Sequence, residues 1–355
     1  METINRGLDK LDLMARLVES ASRARGIETS ILEIDLDVQP ARNKYWLGFT
    51  INGHKFCYAK GALLEYGKNR WGGIGRNLNH EAALLIADKY KTKVHLQEKG
   101  FSVPKGKFFR RRKLELALKA FDEFHGPICV KPNNGSEGNL VHTSIRDREN
   151  YVLAIERVTQ KYPNILIEES VEGSHFRFFY VYPKVVGVRC GIPMNVVGDG
   201  KSNIQQLVEN KNSERKHRDL PTHPPLEIDD EVLSHMAIKG LTFDHIPALS
   251  ETVFLRGVSN GTAGADTTLF DLDQVHPSYL EIVAEACKSV DGLRYSGADI
   301  VIRDITQPAA PGNHWLLELN ASPAITGFYF PWEGNTVDVA GHVLDLLLAS
   351  YPFDS

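Results

Sequence analysis

Residues 315–323, Trp-Leu-Leu-Glu-Leu-Asn-Ala-Ser-Pro, constrain this chain more than any other stretch. They alternate as a strand does, with Leu316, Glu318 and Asn320 on one face and Leu317, Leu319 and Ala321 on the other. A carboxylate and an amide side by side among leucines are costly to bury unless something binds them. One reading is a hard cation such as magnesium, which draws its ligands from carboxylate and amide oxygens. The other is that both are turn or cap residues at a sheet end. A second strand, Gly297-Ala-Asp-Ile-Val-Ile302, carries one acid near its start. If the two strands pair, Asp299, Glu318 and Asn320 converge on one metal site.

The rest of the composition narrows the function classes. At 355 residues the chain is long enough for one large domain or two to three smaller ones. A hydrophobic content of 42% with 24% charged residues is that of an ordinary globular protein. A net charge of −4, with no persistently basic face, gives no reason to expect a nucleic-acid partner. Arg110-Arg-Arg-Lys113, the densest basic run, reads as a solvated loop or strand end. No signal pattern opens the chain and no apolar run approaches a membrane span, so the expected setting is the cytoplasm, with no membrane partner. The four cysteines lie far apart and read as reduced thiols. The 13 histidines form no His-x-x-x-His pair, which argues against zinc.

In chain order, residues 4–25 predict a helix, and 31–38 and 44–51 predict strands. Asn52-Gly53 makes a hairpin turn into a strand over 54–58. Asn79 is expected to cap a helix running to Leu96, and the first boundary is placed near residue 91. Strands and helices alternate from 102 to 165, with helices over 113–124 and 148–161. Strands at 164–169, 177–181 and 185–189 follow. Ser202-x-x-Gln205 predicts a capping box inside a proline-rich segment, 195–250. Pro277 opens a long helix, and residues 336–350 form the last one.

Ile128-Cys-Val-Lys131 delivers a lysine into a loop, Pro-Asn-Asn-Gly-Ser-Glu-Gly-Asn139, whose glycines let N–H groups crowd around an anion. Many hairpins carry two glycines, so the loop alone is compatible with no ligand at all. Arg256, in Phe254–Ala265, supplies a planar fork for phosphate or carboxylate.

The ordered combination is more specific. Lys93 precedes Val103-Pro104, then come Val130-Lys-Pro132 and its loop, Ile167-Glu-Glu169, an Asp strand and Glu318-x-Asn320. This order resembles the ATP-grasp superfamily. Pro193-Met-Asn-Val-Val-Gly-Asp-Gly200, Val253–Gly264 and Leu317–Pro323 are similar, more narrowly, to the ATP-grasp modules of cyanophycin synthetase and bifunctional glutathione synthetase. The resemblance covers roughly residues 80–350. It implies an α+β, ATP-grasp fold: two lobes clasping ATP, behind a small N-terminal α/β domain. The divisions would be 1–91, 92–165 and 166–355, with a lid-like insertion at 195–250.

The resemblance also implies roles. Lys93 and Lys131 would contact ATP phosphates, with Asn134, Gly135, Ser136 and Gly138 closing over them. Glu168, Glu169 and Val171 would form the hinge that binds adenine. His175 stands where related enzymes place an acid on the ribose. Asp299, Glu318 and Asn320 would hold two magnesium ions. Lys131 and Arg256 would be catalytic, with Arg256, Asn260 and Gly261 stabilising the transferred phosphoryl group. Arg177, Arg189 and Arg256 are the candidates for a substrate carboxylate. The implied reaction joins a carboxylate, activated as an acyl-phosphate, to the amine of an amino acid or short peptide, releasing ADP and phosphate. The alternative is a grasp-type kinase with no amine acceptor. Related enzymes are often dimers or tetramers, which leaves room for a homo-oligomer.

Overall fold

Asn52 and Gly53, with φ of 50° and 85°, close the predicted hairpin in the left-handed region that such turns require. That hairpin sits in a computed structural model describing residues 7–34, 44–67, 75–135, 139–257, 259 and 264–351. The hairpin strands belong to an antiparallel meander of β1 (Thr29–Glu33), β2 (Tyr45–Ile51), β3 (His54–Ala59), β4 (Ala62–Tyr66) and β5 (Gly75–Asn77). Helix α1 (Leu13–Ala24) packs on β2 and β3. It starts later than predicted because Asp12 caps it, accepting from Ala15 N at 3.0 Å.

The helix expected over 79–96 is two helices, α2 (His80–Ile86) and α3 (Lys89–Glu98). Asp88 caps α3, accepting from Lys91 N at 3.0 Å, and this cap is what breaks the run. Asn79 makes no cap bond. Its Nδ2 donates to the carbonyls of Tyr295 and Ala321, each at 2.8 Å, and its Oδ1 accepts from Arg294 N at 2.9 Å.

A smaller sheet in the order β6-β9-β7-β8 follows, from β6 (Gly106–Arg110), β7 (Ile128–Pro132), β8 (His142–Ile145) and β9 (Asn164–Glu169). The helix expected over 113–124 is a short α4 (Leu114–Lys119) continued by a 3-10 turn, while α5 (Arg148–Lys161) has its predicted bounds, capped by Asp147. These helices bury Ala117, Tyr151, Ile155 and Val158 against Val130 and Ile167.

The larger sheet has the order β14-β11-β10-β15-β16: β10 (Ser174–Val181), β11 (Lys184–Ile192), β14 (Asp266–Phe270), β15 (Tyr295–Ile302) and β16 (His314–Asn320). Every neighbouring pair in it is antiparallel. Phe176, Phe178 and Tyr180 of β10 pack into the core shared with α8 (Pro277–Lys288). Phe179 and Val181 pack the other way, with α1, the N-terminal meander and α9 (Val339–Ser350). With both faces covered, every residue of β15 is buried, Ser296 and Asp299 included.

The 195–250 segment has its own small core. It holds β12 (Asn195–Val197), α6 (Ile204–Arg218) and α7 (Asp230–Ile238), and its ribbon partner is β13 (Thr252–Phe254). The capping box is one residue later than predicted, between Asn203 and Gln206. Among the described residues no helix is long and apolar enough to cross a membrane.

Candidate active site

Across the larger sheet one row of facing residues reads Arg189, Arg177, Asp299, Glu318: two cations, then two acids. Asp299 is 2% exposed. Arg177 grips it through both oxygens, Nε to Oδ1 at 2.7 Å and Nη2 to Oδ2 at 2.6 Å. Burial alone would raise the Asp299 carboxyl, but the Arg177 guanidinium outweighs it and holds the group well below the usual carboxylate range. Asn320 sits opposite Gly297, and its amide lies 3.2 Å from Asp299 Oδ2 and 3.5 Å from Glu318 Oε1. The sheet register therefore brings the three residues together. Among the described residues no trio drawn from His, Cys, Asp and Glu does so; this group is two acids and an amide. Lys89, at the first position of α3, pairs with Glu318 Oε2.

The second cluster is at the smaller sheet. Lys93 Nζ lies 2.8 Å from Glu168 Oε2 and donates to Pro104 O at 2.7 Å, and Lys131 pairs with Glu168 Oε1. All three side chains are enclosed, at 4%, 7% and 2% exposure for Lys93, Lys131 and Glu168. Burial would raise the Glu168 carboxyl, but Lys131 and Lys93 hold it below its ordinary value and ionised. Two ammonium groups against one carboxylate leave an excess positive charge in a place where charge is costly. Helix α3 links the two clusters, since its Lys89 pairs with Glu318 and its Lys93 with Glu168. Asn133 ties the lysine loop to α3, accepting from Tyr90 N at 2.9 Å and donating to Asp88 Oδ1 at 2.8 Å.

Other expected residues are placed differently. The Glu168 side chain points at the lysines, whereas Glu169 turns to Lys105, whose N–H lies 3.4 Å from Glu169 Oε2. Val171 follows in the connection to β10. His175 is next to the metal-type acids, 3.9 Å from Asp299 Oδ1, and burial lowers its pKa. Asn134 donates to Ala87 O at 3.0 Å, and a Cβ on Gly135 would meet Pro132 at 3.0 Å. Ser136, Gly138, Asn260 and Gly261 lie outside the described residues. Arg256 lies beyond the end of β13, not in it, and both its terminal nitrogens are taken by Asp229 and Glu231 at the start of α7. Arg189 is half-buried, and burial and Arg177 bring its pKa down to about 10.

Sequence reasoning missed Lys89 and a buried network around Asp266. There Arg215 and Lys211 of α6 reach Asp266 at 2.5 and 2.6 Å, and Asn195 donates to it at 3.1 Å. The available signal was the one used for Asp299, a lone acid entering an apolar strand.

Two lobes that bring buried lysines together with a carboxylate–amide group are the architecture of the ATP-grasp fold, and the chain has that fold. A bifunctional glutathione synthetase from Pasteurella multocida superposes with a TM-score of 0.67 at 24% identity, over 97% of this chain and 45% of that one. The ATP-grasp ligase PsnB, solved with a phosphomimetic variant of its minimal precursor, Mg and ADP, gives 0.50 at 17% identity over 96% of both chains. In sequence, the glutathione biosynthesis bifunctional protein GshAB of Clostridium perfringens is 32% identical over 346 residues, 96% of this chain and 42% of that protein. Cyanophycin synthetase of Crocosphaera subtropica is 32% identical over 278 residues, 75% of this chain and 31% of that protein. The chain thus spans less than half the length of these relatives. No family model matches it.

Proposed function

We propose that this chain is an ADP-forming carboxylate–amine ligase acting on an amino acid or short peptide. One observation carries the reading: helix α3 joins the buried positive excess at Lys93, Glu168 and Lys131 to the Asp299, Glu318 and Asn320 group, which its Lys89 reaches at Glu318. The names of the homologues, both synthetic enzymes that join amino acids, support it.

Lys93 and Lys131 hold the phosphates of ATP, and Glu168 keeps the two ammonium groups in register. The strand end at Glu169–Val171 receives the adenine, and the loop containing Ser136 and Gly138 closes over the phosphates. Asp299, Glu318 and the Asn320 amide form an oxygen-only donor set suited to magnesium, in our reading two ions. Bound there, magnesium would offset the charge on the phosphoryl oxygens. Arg177 and Lys89 now neutralise those acids, and each has a flexible stem that lets it withdraw. Arg256 with residues 260–261 steadies the transferred group once Asp229 and Glu231 release it. Positioning and charge neutralisation suffice for this chemistry, and no side-chain nucleophile is needed.

We divide the chain near residues 91 and 165, with 195–250 as a lid. Four buried free thiols and a need for ATP fit a reducing, cytoplasmic setting. The test is phosphate release with Mg-ATP against amino acids and dipeptides, singly and in pairs, with product masses. Release that needs a pair, with a product lighter than their sum by one water, supports ligation. A single substrate that gains a stable phosphate replaces this reading with the kinase one.

A further inference from the structure

We propose that the N-terminal unit sets the metal-binding end of β16, with Asn79 and Gly61 as its positioning residues. The inference rests on the reading of Asp299, Glu318 and Asn320 as magnesium ligands, and it gives residues before 91 a part in the reaction. Asn320 is the last residue of β16, and the ladder with β15 ends at its pairing with Gly297. Beyond that pair the ladder no longer fixes the chain, so the contacts of residues 321–323 decide how the Asn320 amide is aimed. Asn320 O accepts from Ser296 Oγ at 3.0 Å. The next carbonyl, that of Ala321, accepts from Asn79 Nδ2 at 2.8 Å, and the same nitrogen donates to Tyr295 O at 2.8 Å. One buried amide thus clamps the ends of both strands that carry the acids.

The two residues that follow meet a turn of the meander. Ala59 and Ala62 pair across Lys60 and Gly61, whose φ of 47° and 82° make a two-residue hairpin turn. A Cβ on Gly61 would lie 2.6 Å from Ser322 O and 3.0 Å from Pro323 O. The glycine therefore lets the turn seat directly on the main chain that leaves β16. Pro323 in turn lies against Gly297, where a Cβ would come within 2.9 Å of Pro323 Cβ. The carbonyl of Gly297 is the one that receives the Asn320 amide, at 3.0 Å. The turn, Pro323, Gly297 and the Asn320 amide form one unbroken run of contacts.

The packing behind these contacts makes the unit a firm backing. The Tyr295 hydroxyl donates to Gly61 O at 3.3 Å, so β15 holds the turn as well as the Asn79 amide. Leu47, Phe49, Phe56 and Leu63 of the meander share one buried cluster with Tyr295 and Ile325. Close-packed interiors transmit small displacements. A shift of the turn or loss of the amide therefore moves the Asn320 oxygen relative to Asp299 and Glu318. Groups that orient metal ligands from behind are worth about 10- to 100-fold in metal affinity.

Manganese, whose free ion is counted by electron paramagnetic resonance, stands in for magnesium and tests this without turnover. Mn2+ is titrated into the full chain with ADP held below the protein concentration. We expect Asn79→Ala and Gly61→Ala each to weaken Mn2+ about 10-fold, while ADP without metal binds all forms alike. Phe56→Leu, a core change in the same meander, should lower the melting temperature and leave Mn2+ affinity at its wild-type value. Gly61→Ala carries the test if Asn79→Ala does not fold. Wild-type Mn2+ affinity in both variants, or equal weakening in Phe56→Leu, reduces the contacts to structural ties and overturns the proposal. A wild type that binds no Mn2+ beside ADP overturns it as well. Mn2+ binding that depends on Asn79 and Gly61, in a protein that ligates nothing, would sink the ligase reading alone; ligation with Mn2+ affinity indifferent to both residues would sink this proposal alone.

Discussion

At the residue scale the two clusters are governed by buried carboxylates that neighbouring cations keep ionised. Glu168 serves two lysines, so Glu168→Gln leaves two buried ammonium groups with no counter-charge. We expect that variant to lose about 3–5 kcal/mol of stability, read by urea denaturation. Lys131→Met removes one of the two cations and should weaken ATP about 10- to 100-fold without comparable loss of stability, read by nucleotide titration. The pH dependence has a definite sign. Glu168 and Asp299 both have folded pKa values below their ordinary ones. Their contribution is present above the unfolded carboxylate range and is lost as pH falls through it, from about pH 5 downward. Denaturation midpoints measured across that window should fall in wild type and fall less steeply in Glu168→Gln. The sequence showed Glu168 as one of two acids ending a strand. It did not show which of the pair turns inward, because that depends on the register with β6 and β7.

At the element scale the legible parts are those whose signals are local. Helix α5 begins at an Asp cap and carries its apolar face at helical spacing, and its predicted bounds are those observed. The hairpin at Asn52-Gly53 is set by two residues that tolerate positive φ. The Asp299–Glu318 pairing was legible because misplaced polarity in two apolar strands has few explanations. Asn79 was not. An asparagine ahead of an apolar run has the local form of a cap, and only the fold reveals that its amide bonds three backbone groups of the β15–β16 region. Asn79→Ala should therefore cost more than a lost cap, about 1–3 kcal/mol, through unsatisfied buried carbonyls. Thermal melts of this variant beside Asp147→Ala, a true cap of α5, would order the two.

At the scale of the whole molecule, the 195–250 segment carries two ion-pair ties of different character, one to the larger sheet at Asp266 and one to the connection after β13 at Arg256. Around Asp266 the tie is buried: Arg215 and Lys211 approach at 2.5 and 2.6 Å, and loss of either should unfold the segment rather than free it. At Arg256 the acids Asp229 and Glu231 are half or more exposed, but the guanidinium they serve is buried, so breaking this contact leaves a buried cation short of counter-charge. Asp229→Asn with Glu231→Gln should lower stability by about 1–3 kcal/mol and change turnover, as a melt beside a phosphate-release assay would show. None of this is visible in a linear reading, because the partners lie far apart along the chain.

In the proposed reaction a substrate carboxylate takes the γ-phosphoryl group and an amine then displaces phosphate from the acyl carbon. In that sequence the bond between the carboxyl carbon and one of its own oxygens breaks, and the oxygen departs with the phosphate. The decisive measurement is the oxygen-isotope content of phosphate released from the active substrate pair with its carboxylate labelled with oxygen-18. An acyl-phosphate route leaves each phosphate carrying one labelled oxygen from the carboxylate. Unlabelled phosphate, with the label retained in the organic product or lost to water, would contradict it.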